Sequence, residues 1–212
     1  MVKPALTPLL VNFEKQISNS FDLFKSITDV KNAYVRSTPR LSQNDVNLVV
    51  ELSFLKIFLA WEQFLENTFI KYMLGGKTKS GYKVRCYISP KNLNHALEIV
   101  CEGKPFPKWA TSSEVIRKAD LFFKEGKPFR DSLQPIISML NDMQTIRNSL
   151  VHTSYNSEEK FKTLLRHELG YAQRNITTGK FLLTIKPSTT PPVTYLQFYT
   201  DSLKTAAKMI TP

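Results

Sequence analysis

Glycine is scarce in this chain, with 7 residues in 212, about half the usual share. That scarcity argues against collagen, β-propellers and a Gly-rich nucleotide loop. It favours helices, which lose stability at every internal glycine. Cysteine is scarcer still. Cys86 and Cys101 form no CxxC pair and have no matching histidine spacing, which excludes a disulfide framework and a zinc site. They read as two reduced thiols in a cytoplasmic protein. Long apolar runs are missing too: the stretch Val46–Trp61 carries Glu51 and Lys56, and Glu62 follows at once. It is too interrupted to span a bilayer. The start, Met1-Val2-Lys3-Pro4-Ala5, lacks the basic-then-apolar order of a secretory signal. There is no DxD, no HxH and no close carboxylate cluster, so neither a metal nor a cofactor is expected.

What is present is globular. Hydrophobic residues make up 42% and charged residues 22%, too apolar for a disordered chain. The length suits one domain over residues 1–212. The net charge is +11, unevenly placed. Residues 77–130 carry 12 basic and 5 acidic side chains, whereas residues 1–76 carry 8 and 7. A concentrated positive field suits a polyanion or an anionic membrane surface, and equally a plain solvated face.

Punctuation predicts helices nearly throughout. Thr7 caps a first helix with Pro8 at its first position, and Leu10, Phe13, Ile17, Phe21, Phe24 and Ile27 follow at helical spacing. A second helix follows Pro39, with Ser42 and Asp45 as its cap, and runs to about Leu74 before Gly75-Gly76. Ser89-Pro90 opens a short helix through Ile99. Lys104-Pro105-Phe106-Pro107 is a loop, and Thr111 to Glu114 reads as a capping box. Asp131 or Ser132 caps a helix into the 150s, and Ser157 caps another toward Gly170. Phe181, Leu183 and Ile185 alternate like a short strand, and a last helix spans about 191–210. The expected fold is an all-α bundle with one small β element. Its core helices are about 7–75 and 131–170, with a basic insertion at about 77–130.

The helix after Leu133 carries the chemistry. On a wheel at about 100° per residue, its apolar arc holds Leu140, Met143, Ile146 and Leu150, with Arg147 near the middle. A buried guanidinium cannot lose its charge, so it needs an anion. His152 falls about 140° from Arg147, on the polar side, with Asn148 one turn before it. Two side chains so separated do not converge on one straight helix. An irregular helix end, or a second copy across a two-fold axis, would bring them together.

Arg147-Asn148-Ser149-Leu150-Val151-His152 resembles the motif of the HEPN superfamily in its RNxxxH form. Fewer than about one chain in a hundred of this composition would carry it by chance. The segment Glu51–Glu66 resembles the early long helix of the RiboL-PSP-HEPN branch. Ser89-Pro90, Phe122-Phe123, Gly126-Lys127-Pro128-Phe129 and Leu140-Asn141-Asp142-Met143 are similar to that branch as well. The likeness covers roughly residues 45–170 and leaves out the first helix and everything after Gly170. It implies a HEPN-like helical bundle and a metal-independent endoribonuclease acting as a toxin or anti-phage defence effector. The implied partners are RNA, a second copy in a homodimer and a protein antitoxin, with no membrane. Histidine can exchange the proton of a ribose 2′-OH, and arginine can stabilise the charge that gathers on the phosphorane. Arg147 and His152 are the expected catalytic pair, with Asn148 in support. Glu62 is the candidate carboxylate for Arg147, against its plainer reading with Glu66 as a partly exposed acidic stripe. Lys83, Arg85 and Tyr87 interleave basic and aromatic groups as RNA contacts. Trp61, Trp109, His95 and His167 read as structural, and His167 beside Arg166 is also a candidate phosphate contact. The competing function is a non-catalytic HEPN-like dimer serving as antitoxin partner or scaffold.

Overall fold

The computed structural model describes residues 5–32, 41–105, 107–152, 154–170, 176–187 and 189–212. Met1–Pro4, Pro39 and Phe106, which enter the sequence reading, lie outside the described residues. The chain is all-α. Its helices are α1 (Thr7–Asn32), α2 (Gln43–Met73), α3 (Leu93–Cys101), α4 (Ser112–Phe122), α5 (Phe129–Leu133), α6 (Ile137–Val151), α7 (Tyr155–Leu169), α8 (Thr178–Leu183) and α9 (Tyr195–Ile210). No strand occurs among the described residues, where β pairing is confined to isolated bridges.

Local chemistry explains most boundaries. At the start of α2 the Asp45 N–H donates to Ser42 Oγ at 3.2 Å, and the Ser42 N–H donates back to Asp45 Oδ2 at 2.8 Å. Two orphan donors are thereby satisfied reciprocally. That bond, with the Ser42 hydroxyl first, holds the Asp45 carboxyl below its usual range. Three expected boundaries need correction. The cap of α3 is Asn92, whose side chain accepts from the His95 N–H, rather than the region of Ser89. The cap of α7 is Ser154, which accepts from the Ser157 N–H. The helix expected from Asp131 is split into α5 and α6 by a 3-10 turn at Gln134–Ile136. Pro135 has no N–H to donate and its ring crowds the preceding turn, so the backbone tightens there.

The expected strand at Phe181–Ile185 is also corrected: residues 178–183 are the short helix α8. Phe181 and Leu182 are neighbours and both are fully buried, which alternation forbids. The Thr177 side chain starts the helix by accepting from the Lys180 N–H. Only the Ile185–Thr194 bridge remains of the β element, flanked by Lys186 N–H to Val193 O and Tyr195 N–H to Thr184 O.

Two compact units can be distinguished, with their boundaries inside α1, α2, α6 and α9. The first comprises Met1–Glu14, Ala60–Asn141 and Leu203–Pro212. Phe69 centres its core, with ring centroids 4.6 Å from Phe123, 5.0 Å from Phe129 and 5.3 Å from Trp109. Trp61 stacks on Phe64. Both tryptophans are therefore packing residues, as their sequence context suggests. The buried Tyr72 hydroxyl donates to Ile210 O at 2.7 Å, tying α9 to α2.

The second unit comprises Lys15–Leu59 and Asp142–Ser202. Phe181 lies 4.3 Å from Tyr195, and Phe54 lies 6.4 Å from Tyr199. Within it α8 approaches α2 closely. The Gly179 N–H donates to Glu51 Oε1 at 2.8 Å. A Cβ on Gly179 would sit 2.7 Å from Asn47 O and 2.8 Å from Asn47 Cα. Backbone cannot yield as a flexible side chain does, so glycine is required. Gly179→Ala should destabilise the protein by about 1–3 kcal/mol through overpacking, measured by urea unfolding. An unchanged midpoint would mean that α8 does not pack this way.

Candidate functional site

Helix α6 leaves the core as it ends. Leu140, Met143 and Ile146 are buried, Arg147 to Leu150 are half-buried, and Val151 is 48% exposed. The apolar arc on which Arg147 falls is therefore not closed over at its last turn. Arg147 is half-buried, and its Nη1 donates to Asn148 Oδ1 at 3.3 Å. His152 is exposed, just past the end of α6, and its N–H still donates to Asn148 O at 2.9 Å. The imidazole is thus projected from a regular last turn, on the polar side as the wheel predicts.

Helix α7 supplies the opposite wall. A cleft of about 180 Å³ is lined by Thr145, Asn148 and His152 from the α6 side and by Asn156, Ser157 and Lys160 from α7. It holds an imidazole, an ammonium, two amides and two hydroxyls, and no carboxylate. Such a set can bind an anion and can move a proton beside it. Arg147 is outside this wall and reaches the site through Asn148. The Asn148 amide oxygen is engaged by the guanidinium.

Sequence reading missed Lys160, because a motif on one helix says nothing about the facing helix. It also missed a second, larger cleft of about 430 Å³ that shares Thr145 and Lys160 with the first. Asp142, Leu164 and His167 line it. Burial, with the neighbouring Glu168 carboxylate, pushes the Asp142 carboxyl up to about 6, while His167 and Lys186 pull the other way. Burial is the largest influence on Glu168 too, but there the Lys186 ammonium at 2.8 Å, the Tyr195 hydroxyl and His167 together outweigh it, and the carboxyl lies below its usual range. The carboxyls of Asp142 on α6 and Glu168 on α7 are thus shifted in opposite directions. His167 is read from sequence as structural; its ring is largely exposed, 3.3 Å from Glu168 Oε1, and borders the larger cleft.

The other predicted residues belong to the first unit. Glu62 and Glu66 are half-buried on α2 in the first unit, whereas Arg147 belongs to the second. Lys83, Arg85 and Tyr87 are exposed in the first unit. Their backbone is strapped to the end of α4 by Tyr87 N–H to Phe122 O and Lys124 N–H to Arg85 O, both 2.9 Å. The first unit also buries a cation: Lys118 is held by Glu102 at 2.7 Å and by Val100 O. Bonds from Arg117 first, then Lys118, hold the Glu102 carboxyl down at about 2. Among the described residues no group of three or more His, Cys, Asp or Glu side chains is placed to hold a metal ion. No helix among them is long and apolar enough to cross a membrane.

No family model, curated protein or solved structure matches this chain.

The raised Asp142 carboxyl has a thermodynamic consequence. Its folded-state pKa of about 6 lies above its ordinary 3.8. The stability this protonated carboxyl contributes is fully present below about pH 4 and is lost as pH rises through about 6. Above that, the ionised group costs the fold about 1–2 kcal/mol after solvent screening. Asp142→Asn should therefore raise the melting temperature at pH 8 and leave it nearly unchanged at pH 4. Equal shifts at both pH values would show that the carboxyl is not perturbed.

Proposed function

We propose that this chain is a metal-independent endoribonuclease on a HEPN-like bundle, working as a homodimeric toxin or anti-phage defence effector that a protein antitoxin restrains. The observation that carries this reading is the cleft at the end of α6, where His152 and Asn148 face Lys160. In the proposed reaction His152 takes the proton of a ribose 2′-OH, and that oxygen attacks the adjacent phosphorus. The 5′-oxygen leaves and takes a proton from water, and His152 returns its proton to solvent, so cleavage yields a 2′,3′-cyclic phosphate and a 5′-OH. Lys160 and the Arg147–Asn148 pair stabilise the extra negative charge on the phosphorane. The basic strap with Lys83, Arg85 and Tyr87 offers additional RNA contacts in the first unit.

The test is cleavage of single-stranded RNA beside thermal melts. His152→Ala should slow cleavage about 10²–10⁴-fold, the usual cost of losing a general acid or base. Its side chain is exposed, so the melting temperature should stay within about 2 °C of the parent. Full cleavage by that variant would overturn the nuclease reading and leave the alternative, a non-catalytic dimeric binding module. One observation favours that alternative: Arg147 is bonded to its own neighbour and stands outside the cleft wall.

The homodimer rests on a different feature. Leu48, Leu52 and Leu59 on α2 are 55%, 51% and 49% exposed, and Leu55 is half-buried between them. Their 4-3-4 spacing is that of a helix seam that packs against another helix. A second copy of α2 would cover it. Leu52→Glu should convert a dimer into a monomer at micromolar concentration in sedimentation experiments. A parent protein that is already monomeric there would remove the homodimer.

A further inference from the structure

The two clefts along α6 and α7 share walls but differ in charge. The smaller one, with His152 and Lys160, has no carboxylate on its lining. The larger one has the carboxylates of Asp142 and Glu159 in its wall; Glu159 is paired with Lys162 at 3.0 Å, whereas no hydrogen bond or ion pair engages the Asp142 carboxylate among the described residues. Thr145 and Lys160 border both clefts, so the two clefts adjoin.

Charge sorts what each can take. A phosphate fits beside Lys160 and His152 and would be repelled by Asp142. Conversely, a carboxylate with free lone pairs wants hydrogen-bond donors. At about 430 Å³ the larger cleft is within the usual range of about 300–1,000 Å³ for small-molecule sites. Leu164 gives it an apolar contact surface, which suits the face of a planar ring.

Resting on the reading of the His152 cleft as an RNA site, we propose that the Asp142 cleft is a nucleobase pocket selective for guanine beside the scissile phosphate. Guanine presents N1–H and N2–H₂ side by side on its Watson–Crick edge, and both can donate to the two Asp142 oxygens. Adenine, cytosine and uracil each place an acceptor next to their donor, which an ionised carboxylate repels. Single-stranded RNA is read through such unpaired edges. Thr145 and Lys160 lie at the junction, where they can contact the sugar-phosphate that links the two clefts.

Binding separates this inference from the nuclease reading. The full-length protein is titrated with short 2′-O-methyl oligouridylates, which cannot be cleaved by 2′-OH attack, carrying one central guanosine, inosine, adenosine or no replacement. Guanosine should bind about tenfold or more tightly than adenosine or uridine, the usual discrimination of a good bidentate pair. Inosine, which keeps N1–H and lacks the 2-amino group, should fall between them. Asp142→Asn should collapse the guanosine-to-uridine ratio toward one while remaining folded by thermal melt. Equal affinity for all four oligomers, or an unchanged ratio in the variant, would overturn the pocket. So would affinity of Asp142 for Mg²⁺ alone that excludes the guanosine oligomer. Selective binding without cleavage of the unmodified RNA would keep the pocket and remove the nuclease. Cleavage of the unmodified RNA without base preference would do the reverse.

Discussion

The placement of the candidate site depends on one backbone approach, that of Gly179 to α2. With no Cβ at that position, the first turn of α8 reaches the Asn47 backbone, and its Gly179 N–H meets the Glu51 carboxylate. The next contact in the same turn is Thr178 with Ser149 on α6, a long 3.4 Å between hydroxyls. The second unit therefore uses α8 as a wedge that fixes the last turn of α6. That turn is the one that carries Arg147, Asn148 and His152. Because the wedge stops there, α6 emerges from the core, and His152 is delivered to the surface while Ile146, six residues earlier, is fully buried.

Buried charges in the two units are handled differently, and the difference is informative. In the first unit Lys118 is nearly inaccessible, but Glu102 and the Val100 carbonyl satisfy it. That is how a fold neutralises a cation it cannot expose. In the second unit Asp142 keeps a carboxyl whose ionisation the fold resists. Glu168 nearby is ion-paired with Lys186 at 2.8 Å. A carboxylate left to a cleft while its neighbour is fully paired is the arrangement expected of a group that serves a ligand.

Much of the fold was legible from local chemistry. The Ser42–Asp45 box and the Gly75-Gly76 stop bound α2 to within a residue or two, and the apolar spacing of α9 is matched by its buried Leu196, Tyr199, Leu203, Ala206 and Ile210. The errors arose where two local signals competed. Ser154 and Ser157 bond to each other at 2.9 Å, and either could be the cap by sequence. Alternating Phe181, Leu183 and Ile185 masked the adjacent pair Phe181-Leu182 and the Thr177 cap, which together specify a helix. Of the site, Asn148 and His152 were legible because both belong to one helix turn. Lys160 and Asp142 were not, because their convergence is created by packing α7 on α6. Such a contact leaves no period in the sequence.

The proposed function is chemical: RNA would be cut by its own 2′-oxygen with protein groups moving the proton. The most direct measurement is mass analysis of the ends produced when the purified protein digests a defined single-stranded RNA in excess EDTA. The account predicts fragments ending in 2′,3′-cyclic phosphate and beginning with 5′-OH. Fragments with 3′-OH and 5′-phosphate ends, or cleavage that stops with the chelator, would contradict it and point to a metal-activated water.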